Sequence, residues 1–435
     1  GLALVVLQYI AFQMNMFLGV LCVVMAFPLA LVCCRATGET DTTPVGARLV
    51  ASTPDLEYSR PTLHSVHPGY GGSLSETSQS GTALVAVEKI DSDVRAAIRR
   101  ALDGARWKDA IPQGSKVALK VNLGWDLFIP GSITSPLFAE LLIEEMRGHA
   151  GEIVMVESDQ VLEDVEKAYV DSGMAEVCRR TGVEWVNMSH APTSPVHRPD
   201  NTILKTIDVP QVLQESLLVT VPAMKTHAKT VITGALKNQW GCLSKMRHEY
   251  HLVLNDALAD LNSVMRPALA VMDGTIGLEG NGPKSGRPKI ADMVLCSSDP
   301  VALDTVQAIL MGIDPSEVEH LSTCAARGVG VCDPDHIEVV GLDPRQSAIS
   351  FQRPKHNAVS RVEDLLRRSV FKKLFFNTPI FDVCLFGAKN YYRLWTALEA
   401  KNAWRIARSH PVYGPQWQPG WNGPDSKTAG GTTDG

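Results

Sequence analysis

The sequence predicts an α/β fold, a mixed or mostly parallel sheet flanked by helices, with an N-terminal transmembrane helix and a C-terminal helical extension. Three observations predict it. From Ala83 onward, runs with the alternation of a strand take turns with segments of helical period, the pattern of a sheet covered by helices. From Leu2 to Cys34 no residue is charged, and Met16 to Cys34 is nearly uninterrupted apolar sequence, close to the length that crosses a bilayer. Beyond Gln346, aromatic and basic residues mix: Phe371, Phe375, Phe376, Phe381 and Phe386 stand among Lys372, Lys373, Lys389 and Arg393.

These signals divide the 435 residues into five parts. Residues 1–34 form a membrane anchor or an uncleaved signal; a cleaved signal peptide would carry basic residues ahead of a shorter apolar run, and Gly1 to Asn15 has none. A single-pass membrane protein follows from this. Its side stays open, although Arg35 and Arg48 after the span lean it towards a cytoplasmic body. Residues 35–82, rich in Thr, Ser, Pro and Gly, read as a flexible linker, and residues 83–345 as the α/β body. Residues 346–410 read as an amphipathic helical extension, in which Phe371 to Trp395 either lies on a membrane surface or packs as a helical hairpin. The Pro, Gly and Thr content of residues 411–435 predicts a disordered tail.

Within the body, Val94 to Leu102 has helical spacing, and Lys116 to Leu123 a strand with Val117, Leu119, Val121 and Leu123 on one face. Pro136 to Arg147 is a helix and Ile153 to Glu157 the next strand, which completes a βαβ unit. Further strands are expected at Val183 to Asn187, Leu217 to Val221, Ala268 to Met272, Met293 to Cys296 and Ile337 to Val340. Helices are expected at Val161 to Arg180, Leu252 to Asn262, Val301 to Met311 and Ser316 to Arg327. Asp299-Pro300 and Asp314-Pro315 each put a capping carboxylate before a proline at the first helical position, and Glu317 completes a capping-box pattern in the second.

The chain is 45% hydrophobic and 20% charged, with a net charge of -6, so its overall charge gives no footprint for nucleic acid. None of the nine cysteines forms a C-x-x-C, which leaves a zinc ribbon, a ferredoxin-type cluster and a disulfide scaffold without their motif. They read mainly as reduced, packed side chains.

Ligands of open α/β sheets gather at the carboxyl ends of strands, so polar residues placed there are the candidates for chemistry. Lys120 and Asn122 share a face at one such end, Glu157, Ser158 and Asp159 follow the next strand, and Lys225, Thr226 and His227 follow Leu217 to Val221. Lys237 and Asn238 come soon after, and Asp273 follows Ala268 to Met272. Lysines suit a carboxylate or phosphate, and His227, Glu157 and Asp159 suit proton transfer. Asp273 to Gly286 is Gly-rich and includes Asn281; it reads as a loop whose amides could approach an anion, or as a lid or tight turn, but not as a Walker A or dinucleotide loop. His248 and His251 are three apart rather than four, so the zincin motif fails. A divalent metal shared by one of them with Asp256, Asp260 or Glu157 is the metal site that this spacing still allows. Asp304 reads either as a site carboxylate or as the partner of a base such as Lys237.

Taken in order, Val117-Ala118-Leu119-Lys120-Val121-Asn122, Val156-Glu157-Ser158-Asp159, Pro222-Ala223-Met224-Lys225-Thr226-His227 and Thr233-Gly234-Ala235-Leu236-Lys237-Asn238 with Gly241 resemble successive blocks of one family, domain of unknown function 362. So do Asp273-Gly274 through Asn281-Gly282-Pro283, and Ser298-Asp299-Pro300-Val301-Ala302-Leu303-Asp304. The resemblance implies that many relatives carry ferredoxin-like cysteine motifs and are described as iron-sulfur proteins; this chain lacks those cysteines. The family supplies no activity. The residues themselves point to a membrane-tethered enzyme for a small anionic substrate, with Lys120, Lys225 and Lys237 binding charge. Asn122, Asn238, Asp273 and Asn281 complete its substrate-binding candidates, and His227, Glu157 and Asp159 are its catalytic ones. The alternatives are an iron-sulfur or electron-transfer accessory protein, and a non-catalytic module docked on a membrane complex through Phe371 to Trp395.

Overall fold

The computed structural model describes residues 82–354, with breaks at 125, 161–163, 244–249, 251–252 and 283–284, and residues 390–425 apart from 391–392, 394, 397 and 399. The expected membrane span, nearly all of the linker, and most of Phe371 to Trp395 lie outside them. Among the described residues, no helix is long and apolar enough to cross a membrane.

The body opens with β1 (Ala83–Lys89), α1 (Val94–Gly104) and a single turn, α2 (Trp107–Ala110). Then come β2 (Lys116–Lys120), α3 (Pro136–Arg147), β3 (Glu152–Glu157), α4 (Val165–Asp171), α5 (Met174–Thr181) and β4 (Glu184–Asn187). A two-stranded hairpin follows, β5 (Thr193–His197) and β6 (Thr206–Pro210), then α6 (Gln211–Gln214), β7 (Leu217–Thr220), β8 (Ala223–His227), β9 (Val231–Thr233) and α7 (Ala235–Asn238). The last set is α8 (Leu254–Val264), β10 (Leu269–Asn281), β11 (Ser285–Ser297), α9 (Pro300–Leu310), α10 (Glu319–Ala326) and β12 (Ile337–Gly341).

The main sheet has the order β12-β1-β11-β10-β7-β2-β3-β4, with β8 on β10 and β9 on β8. Pairings within β7-β2-β3-β4, β10 with β7 and with β8, and β1 with β12 are parallel; β11 runs antiparallel to both its neighbours and β9 to β8. The sheet is therefore mixed and mostly parallel, and its inner strands β2, β3 and β7 are buried on both faces, whereas the edge strands β4 and β12 are partly exposed. Alternation assigns the faces. Val117, Leu119 and Val121 join Met155, Val219 and Val271 under α1 and α3, whereas Ala118, Val154, Val156 and Leu218 pack on α8. Val85, Val87, Ala270, Met272 and Leu295 pack on α9.

Local signals set α3 and α9 well. Ser135 caps α3 by accepting from Phe138 N, ahead of Pro136, and Asp299 caps α9 by accepting from Val301 N and Ala302 N. Four expectations differ. The helix expected over Val161 to Arg180 is two helices, because Gly173 between them takes a left-handed backbone (φ 90°). Asp314 caps only a 3-10 turn, Pro315–Glu317, and Glu317 turns to Arg353 instead of closing a capping box, so α10 starts at Glu319. The Gly-rich stretch from Asp273 is not an open loop but the far half of β10 and its hairpin with β11. Its glycines permit close packing: a Cβ on Gly277 would lie 2.8 Å from the Met224 carbonyl oxygen, and one on Gly282 within 2.3 Å of that of Thr226.

Residues 411–425 are not a disordered tail. Residues 400–409 are helical and lay Ala400 and Ala403 on Ile129 and Leu278, while Trp404 sits edge-on to Phe128 and Trp417. Tyr413, fully buried, donates to Asp292 Oδ1 at 2.8 Å, and Gln416 Oε1 accepts from Leu137 N at 3.0 Å. Arg180, doubly bonded to Glu140, lies 4.6 Å from the Trp421 ring. Pro and Gly content marks irregular backbone, but here two tryptophans and a tyrosine give that backbone apolar area to bury.

Candidate functional site

β2, β3 and β7 run parallel and end together, and the chain re-enters the sheet from β7 as β8. Their carboxyl ends carry Lys120, Glu157, Thr220 and Lys225, all at most 2% exposed. Lys120 Nζ donates to Glu157 Oε2 at 2.9 Å, to the Val121 carbonyl at 2.8 Å and to Asn238 Oδ1 at 3.3 Å. Glu157 is saturated in turn: Oε2 accepts from Leu123 N and Oε1 from Ser158 N, each at 3.0 Å. A buried ion pair survives only when its remaining hydrogen-bond positions are filled in this way.

From that pair the hydrogen bonds run on to Lys225. Asn238, brought in by α7, donates Nδ2 to Thr220 Oγ1 (2.8 Å) and to the Lys120 carbonyl (3.2 Å), so its Oδ1 faces Lys120 and Asn122. Asn122 Nδ2 donates to that oxygen at 2.8 Å, which leaves Asn122 Oδ1 to accept from Lys225 Nζ at 2.7 Å. Lys225 Nζ also donates to the Ser132 carbonyl at 2.6 Å. Thr134 holds this loop in place, since its Oγ1 accepts from Asn122 N (2.8 Å) and donates to the Val221 carbonyl (2.6 Å). Gly241 closes over the ion pair. A Cβ there would lie 2.4 Å from Glu157 Oε1 and 2.6 Å from Lys120 Nζ, so no larger residue fits.

Burial, with Lys237 and Lys120 nearby, lowers the Lys225 pKa to about 7, against the opposing pull of Glu157. The Lys237 ammonium lies 5.6 Å from the Trp240 ring centroid. His320, fully buried on α10, has neither ring nitrogen hydrogen-bonded, and burial with the charge of Lys237 depresses its pKa to about 3.

The structure thus joins five of the sequence candidates, Lys120, Asn122, Glu157, Lys225 and Asn238, in one network, with Lys237 within electrostatic reach. The remaining candidates lie outside that network. Asp273 accepts from Ser135 N, Thr275 N and Thr275 Oγ1, tying β10 to the start of α3; burial raises its pKa and those hydrogen bonds resist the rise. Asp159 meets His190 and Asn187 beside β4 and accepts from Val165 N at the start of α4. His227 lies two residues beyond Lys225 on the same face of β8, and its Nδ1 accepts from Lys229 N and Thr230 N, which puts the ring proton on Nε2. The turn it braces holds Val231 at φ 64°, a strained value for a β-branched residue. Asn281 ends β10 at the hairpin tip, where its carbonyl accepts from Ser285 Oγ. Asp304 is the cap of α7, accepting from Ala235 N and Leu236 N, rather than a partner of Lys237; burial pushes its pKa up to about 7.

Ser132, Thr134, Thr220 and Gly241 were not among the sequence candidates. The first two lie in the loop between β2 and α3, where polar residues at a strand's carboxyl end were a usable signal.

The metal set expected from His248 or His251 does not assemble in its described members. Glu157 is taken by Lys120, while Asp260 accepts from the backbone of Thr202, Ile203 and Leu204 and pairs with Arg327; both histidines lie outside the described residues. Among the described residues, no three His, Cys, Asp or Glu side chains converge to hold a metal ion, so the described cysteines do not fit an iron-sulfur cluster.

A 149-residue stretch is 27% identical to thylakoid-associated protein sll1697 of Synechocystis sp., covering 32% of this chain and 42% of that protein, less than half of the relative's length. No solved structure matches the chain. The model of the family described as domain of unknown function (DUF362) matches residues 117–308, which run from β2 into α9, so the family match takes in the whole Lys120–Lys225 network.

Proposed function

We propose that this protein is an enzyme that binds a small carboxylate or phosphate at the carboxyl ends of β2, β3 and β8, with Lys120 and Lys237 supplying positive charge beside Lys225 and His227 moving protons. One observation carries this reading. Lys225 is buried with two neutral oxygens as its partners, next to two more lysines, while Glu157 is committed to Lys120. An ammonium buried without a counter-charge costs several kcal/mol, so the site either sheds the Lys225 proton or takes up an anion.

Titration calorimetry with inorganic phosphate and with short mono- and dicarboxylates tests the reading. Lys225→Met should weaken the best of these by at least about tenfold, or about 1.4 kcal/mol. Equal affinity in both proteins, or binding of none of the anions, would refute the site.

Membrane association is supported from two sides: the uncharged run Leu2 to Cys34, and a relative whose name places it with thylakoids. Recovery of the full chain in a membrane pellet after a high-salt wash is expected, and its release by salt would count against an apolar anchor.

A further inference from the structure

We propose that Lys225 is a nucleophilic amine, and that the anion accepted at this site is a small keto acid whose carbonyl carbon bonds to Nζ within the positive field of Lys120 and Lys237. This deepens the anion-site reading and rests on it.

The two buried lysines of the network are built differently. Lys120 Nζ meets three acceptors, Glu157 Oε2, the Val121 carbonyl and Asn238 Oδ1, one for each hydrogen of an ammonium, and one of them is charged. Lys225 Nζ meets two, Asn122 Oδ1 and the Ser132 carbonyl, and both are neutral. Neither can turn into a donor. The Ser132 acceptor is backbone, and Asn122 is oriented by the bond from its Nδ2 to Asn238 Oδ1. Two acceptors suit the two hydrogens of a neutral amine, and the fourth tetrahedral corner is then the lone pair. Desolvation and two neighbouring ammonium groups favour that neutral form, and they are the means by which a lysine is activated for imine formation.

The step balances without an oxidant. The Nζ lone pair forms the N–C bond while the carbonyl π electrons move to oxygen, which takes up one amine proton to give a carbinolamine. Departure of that hydroxyl with the second amine proton as water leaves C=N, and addition of water reverses the sequence. Once protonated, the imine draws electrons from a bond to the adjacent carbon, so the reaction class is proton loss or carbon–carbon cleavage beside a carbonyl.

The test is reductive trapping on the full chain at pH 7 with glyoxylate, pyruvate or 2-oxoglutarate and sodium cyanoborohydride, mapped by peptide mass spectrometry. One of the three should label Lys225 at least about tenfold more than any exposed lysine, excess lactate should suppress that label, and Lys225→Arg should remove it. The wild-type map decides the matter even if the variant fails to fold. Labelling spread over exposed lysines with Lys225 unmodified under all three acids would overturn the nucleophile. In that event, lactate binding measured by calorimetry would leave the anion site standing, and its absence would remove both.

Discussion

Replacing Lys225 by methionine keeps the length of the side chain and removes its titration, and the effect on stability can be worked from the site. In the folded protein burial, Lys237 and Lys120 bring the Lys225 pKa to about 7 against the pull of Glu157, while 10.5 is its ordinary value in an unfolded chain. Between those values the unfolded chain binds one more proton than the folded one, so stability rises with pH; below pH 7 both forms are protonated and the contribution is flat. At about 1.4 kcal/mol per pH unit at full slope, and less near pH 7 where the folded form is still half protonated, the gain from pH 7 to 9 is about 2 kcal/mol. At the top of that window the thiols of Cys296 and Cys324, whose ordinary value is 9.0 and which burial raises in the fold, begin to lower stability, but this contribution is common to both proteins and cancels in their difference. Urea unfolding of both proteins at pH 7, 8 and 9 reads the difference. The wild type should gain about 2 kcal/mol across the window relative to Lys225→Met. Parallel profiles would show that Lys225 stays protonated in the fold, and the argument from its neutral partners would fail.

Removing one side of the buried pair should cost far more than removing both: Lys120→Met is expected to lose about 3–5 kcal/mol in urea unfolding, and Lys120→Met with Glu157→Leu much less. Equal losses would mean that Glu157 is solvated rather than stranded. Gly241→Ala forces a Cβ into Glu157 and Lys120 and should destabilise by about 1–3 kcal/mol, whereas an unchanged melting temperature would show that the segment can retreat from the pair. Asp304→Ala strips the acceptor from Ala235 N and Leu236 N, with an expected cost of about 1–3 kcal/mol, and because α7 carries Lys237 and Asn238, anion affinity in calorimetry should fall with it. Full affinity in that variant would separate the cap from the site.

Where a feature depends on neighbours in the chain, the sequence by itself determined it. Ser135-Pro136 and Asp299-Pro300 start helices because cap and first turn lie within three residues, and the alternation from Val117 to Val121 sorts residues between two faces because strand geometry repeats every two. The ordered blocks also located the DUF362 segment and named the five residues that the network joins. What each polar residue does was left to the tertiary structure. Glu157, Asp273 and Asp304 are each a buried carboxylate, and one pairs with a lysine 37 residues away, one takes an amide 138 residues away, and one caps a helix 69 residues away. Likewise, the glycines of β10 read as a loop until β8 and β11 came to lie against them. A carboxylate carries the same acceptors whichever donor it meets, and a glycine the same freedom whether a turn or a close neighbour demands it. The role is chosen by the partner, and only the packed fold brings the partner within 3 Å.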